Sequence, residues 1–257
     1  MQSRTSKRVL LFSPTLLWKL FFLISPFYIM VTYSIYVRSE YGGIINTFSI
    51  QNYLRAIDLL YFSIFLKSLK LATLTTFSCL FLGYPLAYVI AVSSNRIKKV
   101  LLMLVALPFW TNLVVRAFSI RSFFPDPSAI AVWVGMVSSY LPLMVLPIYL
   151  SIEKFDFQLL EAARDLGARG PRVFIDVLFP LTLPGVITGI SFVFIPSLGE
   201  FVIPDLLGGA KSVLIGNLIT DQFLKARDWP FGAALSCMLI ILVIFSWFIF
   251  RAISDEV

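Results

Sequence analysis

Residues 151–184, SIEKFDFQLLEAARDLGARGPRVFIDVLFPLTLP, form a polar segment between two long hydrophobic runs. Asp156 is the predicted N-cap of a helix, because its carboxylate can accept hydrogen bonds from the free N–H groups of the first turn. Gly167 lies where a left-handed residue is expected after the last turn. The apolar residues between them follow the i, i+3, i+4, i+7 spacing of one helical stripe: Leu159, Ala162, Ala163 and Leu166. The segment therefore predicts a helix over residues 157–166, roughly 15 Å long.

This predicted helix has little apolar surface with which to hold itself in place, since two of the four stripe residues are alanines. A short helix with a small-residue face suits docking into a groove of another protein, because the two backbones can approach closely. The alternative is an ordinary amphipathic surface helix. The shape of the helix alone leaves both interpretations open.

The same segment resembles a known motif. It has EAA at 161–163, then Gly167 after three residues, then VLFP at 177–180 after nine more. This pattern resembles the EAA loop of ABC importer permeases, which usually ends in Ile-x-Leu-Pro. From about residue 50 onward, the chain also resembles the permease subunits of spermidine/putrescine importers in LGYPLAY (82–88), LPFWTN (107–112), LPIYLSIEKFD (146–156), GEFVIPDLLGGAK (199–211) and RDWPFGAA (227–234). One departure is the outer segment 119–128, which is shorter than is usual in the family.

The resemblance implies a permease subunit of an importer that takes up a polyamine. The printed sequence contains no G-x-x-x-x-G-K-[ST] loop, so ATP hydrolysis is expected in a partner rather than in this chain. The implied partners are an ABC ATPase dimer, a second homologous permease subunit and an extracytoplasmic substrate-binding protein. The implied ATPase-docking residues are Glu161, Ala162, Ala163, Leu166 and Gly167.

The composition is that of a membrane protein. Of 257 residues, 59% are hydrophobic and 14% are charged, whereas soluble domains are about half apolar. The absence of histidine excludes the common zinc sites and histidine-based acid–base catalysis. Cys79 and Cys237 both lie in apolar runs, so we expect no disulfide, metal site or cofactor. The net charge of +7 does not indicate nucleic-acid binding, because the basic residues flank apolar runs.

Long apolar runs predict an all-α polytopic membrane protein with six transmembrane helices in one permease domain, residues 1–257. Each run is close to the ~20 residues that cross ~30 Å of hydrocarbon. The first run lacks a prompt small-x-small cleavage site, so we expect it to cross rather than to be removed as a signal peptide. Pro85 is expected to kink the second span and Pro108 to break the third. The predicted spans are about 17–37, 69–92, 100–120, 129–150, 183–206 and 231–250.

The distribution of Lys and Arg predicts the orientation. With the N-terminus inside, the inner segments hold eleven of these residues and the outer segments hold six. Such a bias favours the more basic segments facing the cytoplasm. We therefore expect both termini to be cytoplasmic in a multi-pass protein of a bacterial inner membrane. Loop 151–182, with its coupling (EAA) helix between spans four and five, is expected on the same side.

Polar and aromatic residues near the spans are candidates for the substrate pathway. A polyamine is a flexible multivalent cation, so its passage calls for carboxylates and aromatic faces. Glu200 is the main candidate, because a carboxylate between Pro196 and Pro204 would be costly without a partner. Its alternative role is a structural ion pair with Arg116. The other candidates are Trp110, Asn112, Asp205, Asp228 and Trp229.

Several of these candidates also have less specific interpretations. Asp205 fits a residue of the outer mouth or a simple solvated acid, and Trp110 fits core packing. Asn112 can hydrogen-bond across spans instead of contacting substrate. Trp229 fits the interfacial aromatic belt, with a gate or binding-protein contact as the alternative.

Permeases with the same loop also carry oxyanions, iron or amino acids, so the prediction of a polyamine as the substrate rests on the flanking resemblance and on Glu200.

Two other classes of protein compete with the importer. An ion-coupled carrier would need its own coupling site and inverted repeats, which the sequence does not display. A membrane-embedded enzyme is disfavoured by the lack of histidine and of a tight acid cluster.

Overall fold

The computed structural model describes residues 2–39, 43–209 and 212–255. A π-helical turn, Phe174–Leu178, joins α8 to α9, and the strands β1 (Val37–Arg38) and β2 (Ile44–Ile45) pair antiparallel. The helices are α1 Gln2–Ser34, α2 Gln51–Ala56, α3 Leu59–Val92, α4 Asn95–Trp110, α5 Leu113–Phe123, α6 Ala129–Glu153, α7 Gln158–Asp165, α8 Gly170–Val173, α9 Phe179–Gly199, α10 Val202–Leu207, α11 Ile215–Leu224 and α12 Trp229–Asp255.

Apolar helices long enough to cross a membrane account for most of this architecture. Within the described ranges, the bent pair α4–α5 adds one broken span to four continuous helices: Leu59–Val92, Ala129–Glu153, Gly170–Gly199 and Trp229–Phe248. The structure thus supports four or five candidate spans. The first predicted span, 17–37, falls largely in α1 and remains a prediction.

The third predicted span, 100–120, is not a single kinked helix. The axes of α4 and α5 differ by 97°, and the break falls at residues 111–112 instead of Pro108. Pro108 remains inside α4. Thr111 has an extended backbone, and the Asn112 side chain accepts a hydrogen bond from Val114 N at 2.8 Å, so it caps the start of α5.

The fifth predicted span, 183–206, is not one continuous helix. The helical segment begins at Gly170, with a proline at its first turn, and ends at Gly199. Glu200 has an extended backbone (φ −63°, ψ 130°), and α10 follows as a separate short helix. The helix that contains the second predicted span starts earlier than the span itself, at Leu59, where Asp58 Oδ1 accepts a hydrogen bond from Leu59 N at 2.7 Å.

The chain divides into two compact units. The first comprises Met1–Tyr61 and Ile219–Ile240, and the second comprises Phe62–Leu218 and Ile241–Val257. In the first unit, Asn52 donates to the carbonyl of Ser34 at 3.1 Å and to that of Tyr36 at 2.8 Å. These bonds fix α2 against the end of α1.

In the second unit, α6 and α9 pack closely through glycines. A Cβ added at Gly185 would lie 2.8 Å from the carbonyl oxygen of Pro147, and one at Gly189 would lie 2.8 Å from Met144 Sδ. Larger residues would therefore separate the two helices, as at small-residue interfaces in membranes. The mutual placement of α6 and α9 supports the loop that connects them, which contains α7.

Candidate functional site

The short helix α7 forms close to where the sequence predicts it. It spans Gln158–Asp165, one residue shorter at each end than the predicted 157–166. Asp156 Oδ1 accepts a hydrogen bond from Gln158 N at 3.0 Å, so its carboxylate serves the first turn as expected. Gly167 has φ +86°, the left-handed value predicted for it. Local capping signals therefore define both ends of this helix.

One face of α7 packs on its own protein. Leu160 is buried and contacts Val173 and Leu178, with Ala163 at the margin of this cluster. The predicted stripe omitted Leu160 and grouped Ala163 with residues of the opposite face. The available signal was that Leu160 is hydrophobic and lies three residues before Ala163, a spacing that places both side chains on the same face of a helix.

The other face of α7 is open to solvent. Leu159 is 46% exposed and Leu166 is 90% exposed, the largest fraction among the exposed large hydrophobic residues of the described ranges. Glu161, Ala162 and Gly167 are also exposed. We call Leu159, Glu161, Ala162, Leu166 and Gly167 the exposed face of α7. Leucines held outward beside an alanine on a capped helix make a surface suited to burial against a partner.

The exposed face is mechanically connected to the spans. Through Leu160, α7 rests on Val173 in α8 and on Leu178 at the end of the π-helical turn. Such turns occur frequently at functional sites. Phe174 and Phe179 pack against Tyr84 of α3, and the hydroxyl of Tyr84 is hydrogen-bonded to Thr182 at 2.8 Å. A force applied to α7 would therefore reach α3 and α9 through packed side chains.

The break between α9 and α10 is organised by Glu200, which is only 9% exposed. Its Oε1 accepts hydrogen bonds from Val202 N at 2.9 Å and Ile203 N at 3.2 Å, so the carboxylate caps α10. Its Oε2 accepts from the Tyr140 hydroxyl at 2.5 Å. Among the described residues, no cation lies within ion-pairing distance of this carboxylate.

The alternative pairing of Glu200 with Arg116 is wrong. Arg116 donates to the carbonyl of Pro108 at 3.0 Å, across the bend between α4 and α5. The carboxylate of Glu200 is therefore hydrogen-bonded by neutral donors, without a salt bridge to Arg116.

The start of α11 braces the same break. Asn217 Nδ2 donates to the carbonyl of Phe201 at 2.8 Å. A Cβ at Gly216 would lie 2.5 Å from the carbonyl oxygen of Gly199, so glycine is needed for this approach. Sequence reasoning missed Tyr140 and Asn217 as members of the site, although each is a hydrogen-bonding residue within an apolar run.

The other candidates of the second unit lie near the two helix breaks. Trp110 ends α4 and is 73% exposed in this chain, which disagrees with the core-packing interpretation. Asn112 caps α5, as described above, and Asp205 is exposed on α10. Because α5 packs against α10, the structure brings together the elements that carry Asn112 and Asp205. Arg121 also donates to the carbonyl of Leu206 at 3.4 Å across this packing.

Asp228 and Trp229 lie in the first unit. Asp228 is 1% exposed, and its Oδ2 pairs with Arg55 at 3.0 Å and with Arg38 at 3.9 Å. Its Oδ1 accepts from Phe231 N at 3.2 Å, so Asp228 caps α12. Trp229 is 45% exposed, with its ring centroid 6.4 Å from that of Tyr33.

The ion pair with Asp228 also changes the pKa of Arg55. Burial works to lower the pKa of the Arg55 guanidinium, but the hydrogen bond and charge of Asp228 outweigh it and raise the pKa. The guanidinium also lies 4.1 Å from the centroid of the Phe231 ring. The carboxylate of Asp228 is thus occupied by two arginines, which favours a structural role over substrate contact.

Comparison with known proteins places this geometry in context. A family model described as "Binding-protein-dependent transport system inner membrane component" matches residues 83–256. The chain is 40% identical over 247 residues to the spermidine/putrescine transport system permease protein PotB of Salmonella typhimurium, covering 88% of this chain and 86% of that protein. It is 37% identical over 254 residues to the permease protein of the same name in Haemophilus influenzae, covering 91% and 89%.

Solved structures agree at the level of the fold. The chain superposes with a TM-score of 0.72 on a chain of a bacterial ABC transporter involved in the import of the acidic polysaccharide alginate. The alignment covers 96% of this chain and 97% of that one, at 18% identity. At this identity the similarity concerns the arrangement of helices alone.

Proposed function

Because the chain belongs to the family of binding-protein-dependent transport system inner membrane components, we propose that it forms the translocation path of an ABC importer for spermidine or putrescine. This proposal rests on the homology of the chain to PotB, at 40% identity over 88% of the chain and 86% of the relative. The chain is a transporter component, and the energy for uptake comes from a separate ATPase subunit.

The exposed face of α7 is the surface that receives this energy. Leu166 and Leu159 enter a groove of the ATPase, while Ala162 and Gly167 allow a close approach of the two backbones. The exposed carboxylate of Glu161 pairs with a basic residue of that groove. Movement of the ATPase then passes through Leu160 to α8 and the π-helical turn, and from there to the spans.

Docking to an intracellular ATPase requires α7 to be cytoplasmic. The excess of Lys and Arg in the segments on the side of α7 supports this orientation, with both termini on that side and α1 as the first of six spans. The turn between α3 and α4 shares the cytoplasmic face. At the start of α4, Lys98 pairs with Glu153 at 3.3 Å, which fixes the inner ends of α4 and α6.

Glu200 supplies negative charge to the path of the cationic substrate. Its carboxylate is held by Tyr140 and by the backbone of α10, with no basic side chain within 4.0 Å among the described residues to neutralise it. A buried uncompensated carboxylate attracts an amine more strongly than a solvated one. Trp110, exposed at the end of α4, offers an aromatic face to the same cation.

The complete importer contains further subunits. An ATPase dimer presents two grooves, whereas one copy of this chain presents one α7, so a second homologous permease completes the complex. An extracytoplasmic binding protein delivers the polyamine to the outer side, where Asp205 lies on α10.

Uptake of labelled spermidine and putrescine by a host that lacks its own polyamine importer tests this function. Co-expression of the chain with its partner subunits is expected to give uptake that stops when the ATPase is inactivated and persists when ion gradients are collapsed. Uptake that follows the ion gradient instead would indicate a secondary carrier. Uptake of another solute, with none of either polyamine, would refute the substrate assignment.

A further inference from the structure

The second unit has a trough of about 410 Å³ between the outer part of α3, the start of α6 and residues 212–214. Its body is apolar. Leu74 and Ile130 line it with 46% and 61% of their surface exposed, and Trp133 forms part of the wall. Trp133 Nε1 donates to Ser78 Oγ at 3.2 Å, which holds the indole ring against α3. The trough is therefore a shaped apolar surface that this chain leaves uncovered.

Positive charge is concentrated at one part of this trough. Lys67 and Lys70 both line it and both are exposed, and their spacing of three residues places them on one face of α3. Among the described residues, neither ammonium group lies within 4.0 Å of a carboxylate.

The first two residues of α6, Ala129 and Ile130, add to this charge. They line the same trough, and the first turn of the helix contains no acidic residue. The N-terminus of a helix carries partial positive charge on its free N–H groups. The trough thus combines an apolar body with positive charge supplied by two side chains and one helix end.

The position of the lysines along α3 indicates the depth of the trough. The 34 residues of Leu59–Val92 span about 51 Å at 1.5 Å per residue, which exceeds the ~30 Å of hydrocarbon. A stretch of ~20 residues that ends at Val92 fills the hydrocarbon and leaves Lys67 and Lys70 near the boundary. Leu71 and Leu74 lie on the hydrocarbon side of the lysines.

We infer that this trough binds an anionic phospholipid, with its phosphate at Lys67 and Lys70 and an acyl chain along Leu74, Ile130 and Trp133. A free phosphate would satisfy the ammonium groups but would leave the apolar wall uncovered. A lipid without net charge would cover the wall but would leave both ammonium groups without a counter-charge. The inference rests on the membrane location of α3 and not on the identity of the transported solute.

Native mass spectrometry of the purified full chain, titrated with phosphatidylglycerol or phosphatidylcholine, tests this site. Phosphatidylglycerol is expected to bind selectively, and the double variant Lys67→Gln/Lys70→Gln to bind it about 30-fold more weakly, from the contribution of two basic residues near an anionic surface. The matched control is Arg96→Gln/Lys99→Gln, which removes the same charge from exposed residues at the start of α4. This control is expected to retain binding, as is Lys67→Arg/Lys70→Arg.

A steric variant tests the apolar wall separately. Ala129→Phe places a ring in the trough without a change in charge and is expected to displace the acyl chain, with loss of phosphatidylglycerol. Equal binding of the two lipids, or full binding by the glutamine double variant, would overturn the inference. Displacement of the lipid by inorganic phosphate at similar concentration would also overturn it, in favour of a simple anion site. Since lipid binding is measured without transport, its failure is distinguishable from failure of the proposed function.

Discussion

Replacement of Leu166 by alanine tests the exposed face of α7 with a single small change. Leu166 is 90% exposed, so the substitution removes almost no contact within the chain. If this side chain is buried in an ATPase groove, loss of about three carbon atoms at ~0.8 kcal/mol each, scaled by the exposed fraction, weakens docking by about 2 kcal/mol. We therefore expect an affinity for the ATPase about 30-fold lower, with little change in the thermal stability of the permease.

Leu160→Ala is the opposite case, since it removes the same atoms from a leucine on the same helix that is only 6% exposed. Leu160 packs on Val173 and Leu178, so its truncation is expected to destabilise this cluster by about 2–5 kcal/mol. Leu224→Ala is a second control, because Leu224 is 72% exposed on a helix that the proposed topology places on the outer side. It is expected to leave both stability and docking unchanged.

The assay is titration of detergent-purified permease complexes with the fluorescently labelled ATPase, together with a thermal unfolding curve for each variant. We expect weak docking with normal stability for Leu166→Ala. Wild-type affinity of Leu166→Ala would refute the assignment of the exposed face as the docking surface. An equal loss of affinity in Leu224→Ala would also refute it, because the effect would then not be specific to α7.

Three further substitutions address the remaining features. Gly167→Ala places a Cβ on a residue with φ +86°. No atom lies within 4 Å of this Cβ, so backbone strain alone should lower the stability by about 1–2 kcal/mol; an unchanged unfolding temperature would contradict this. Glu200→Gln keeps a hydrogen-bonding side chain but removes the charge, so labelled spermidine uptake should fall at least tenfold at equal expression; normal uptake would leave Glu200 a purely structural cap. Asp228→Asn weakens the bonds to Arg55 and Arg38 and should cost roughly 1.5–3 kcal/mol in thermal unfolding; unaltered stability with lost uptake would favour a transport role instead.

Local signals in the sequence were sufficient to locate α7. The carboxylate of Asp156 and the left-handed Gly167 act within one turn of the helix, so their effect can be predicted without knowledge of the fold. Which face of α7 turns inward was only partly predictable. That choice depends on contact of Leu160 with Val173 and Leu178, which become neighbours only after the loop folds back.

The ends of the spans were harder to predict than their existence. Pro108 was the expected break of the third span, but it lies inside α4, as Pro196 lies inside α9. The helices instead stop next to residues whose side chains capture the N–H groups of the following helix, Asn112 for α5 and Glu200 for α10. A proline removes one donor that neighbouring groups can compensate, whereas a cap stabilises the start of a new helix in another direction.

The partner of a buried charge was not predictable from the sequence. Arg116 was a reasonable partner for Glu200 by residue type, but the bend between α4 and α5 directs it to the carbonyl of Pro108. Tyr140 satisfies Glu200 from α6, sixty residues away in the chain. Such pairs are set by the packing of whole helices and have no local signature.

In the proposed mechanism, a separate ATPase drives the spans through the exposed face of α7 on the cytoplasmic side. The most direct test introduces Glu161→Cys after replacement of Cys79 and Cys237 by serine, and treats oriented membrane vesicles with a membrane-impermeant maleimide. We expect labelling only in inside-out vesicles, and protection from labelling when the ATPase is bound. Labelling in right-side-out vesicles, which would place α7 outside the cell and beyond reach of the ATPase, would contradict it.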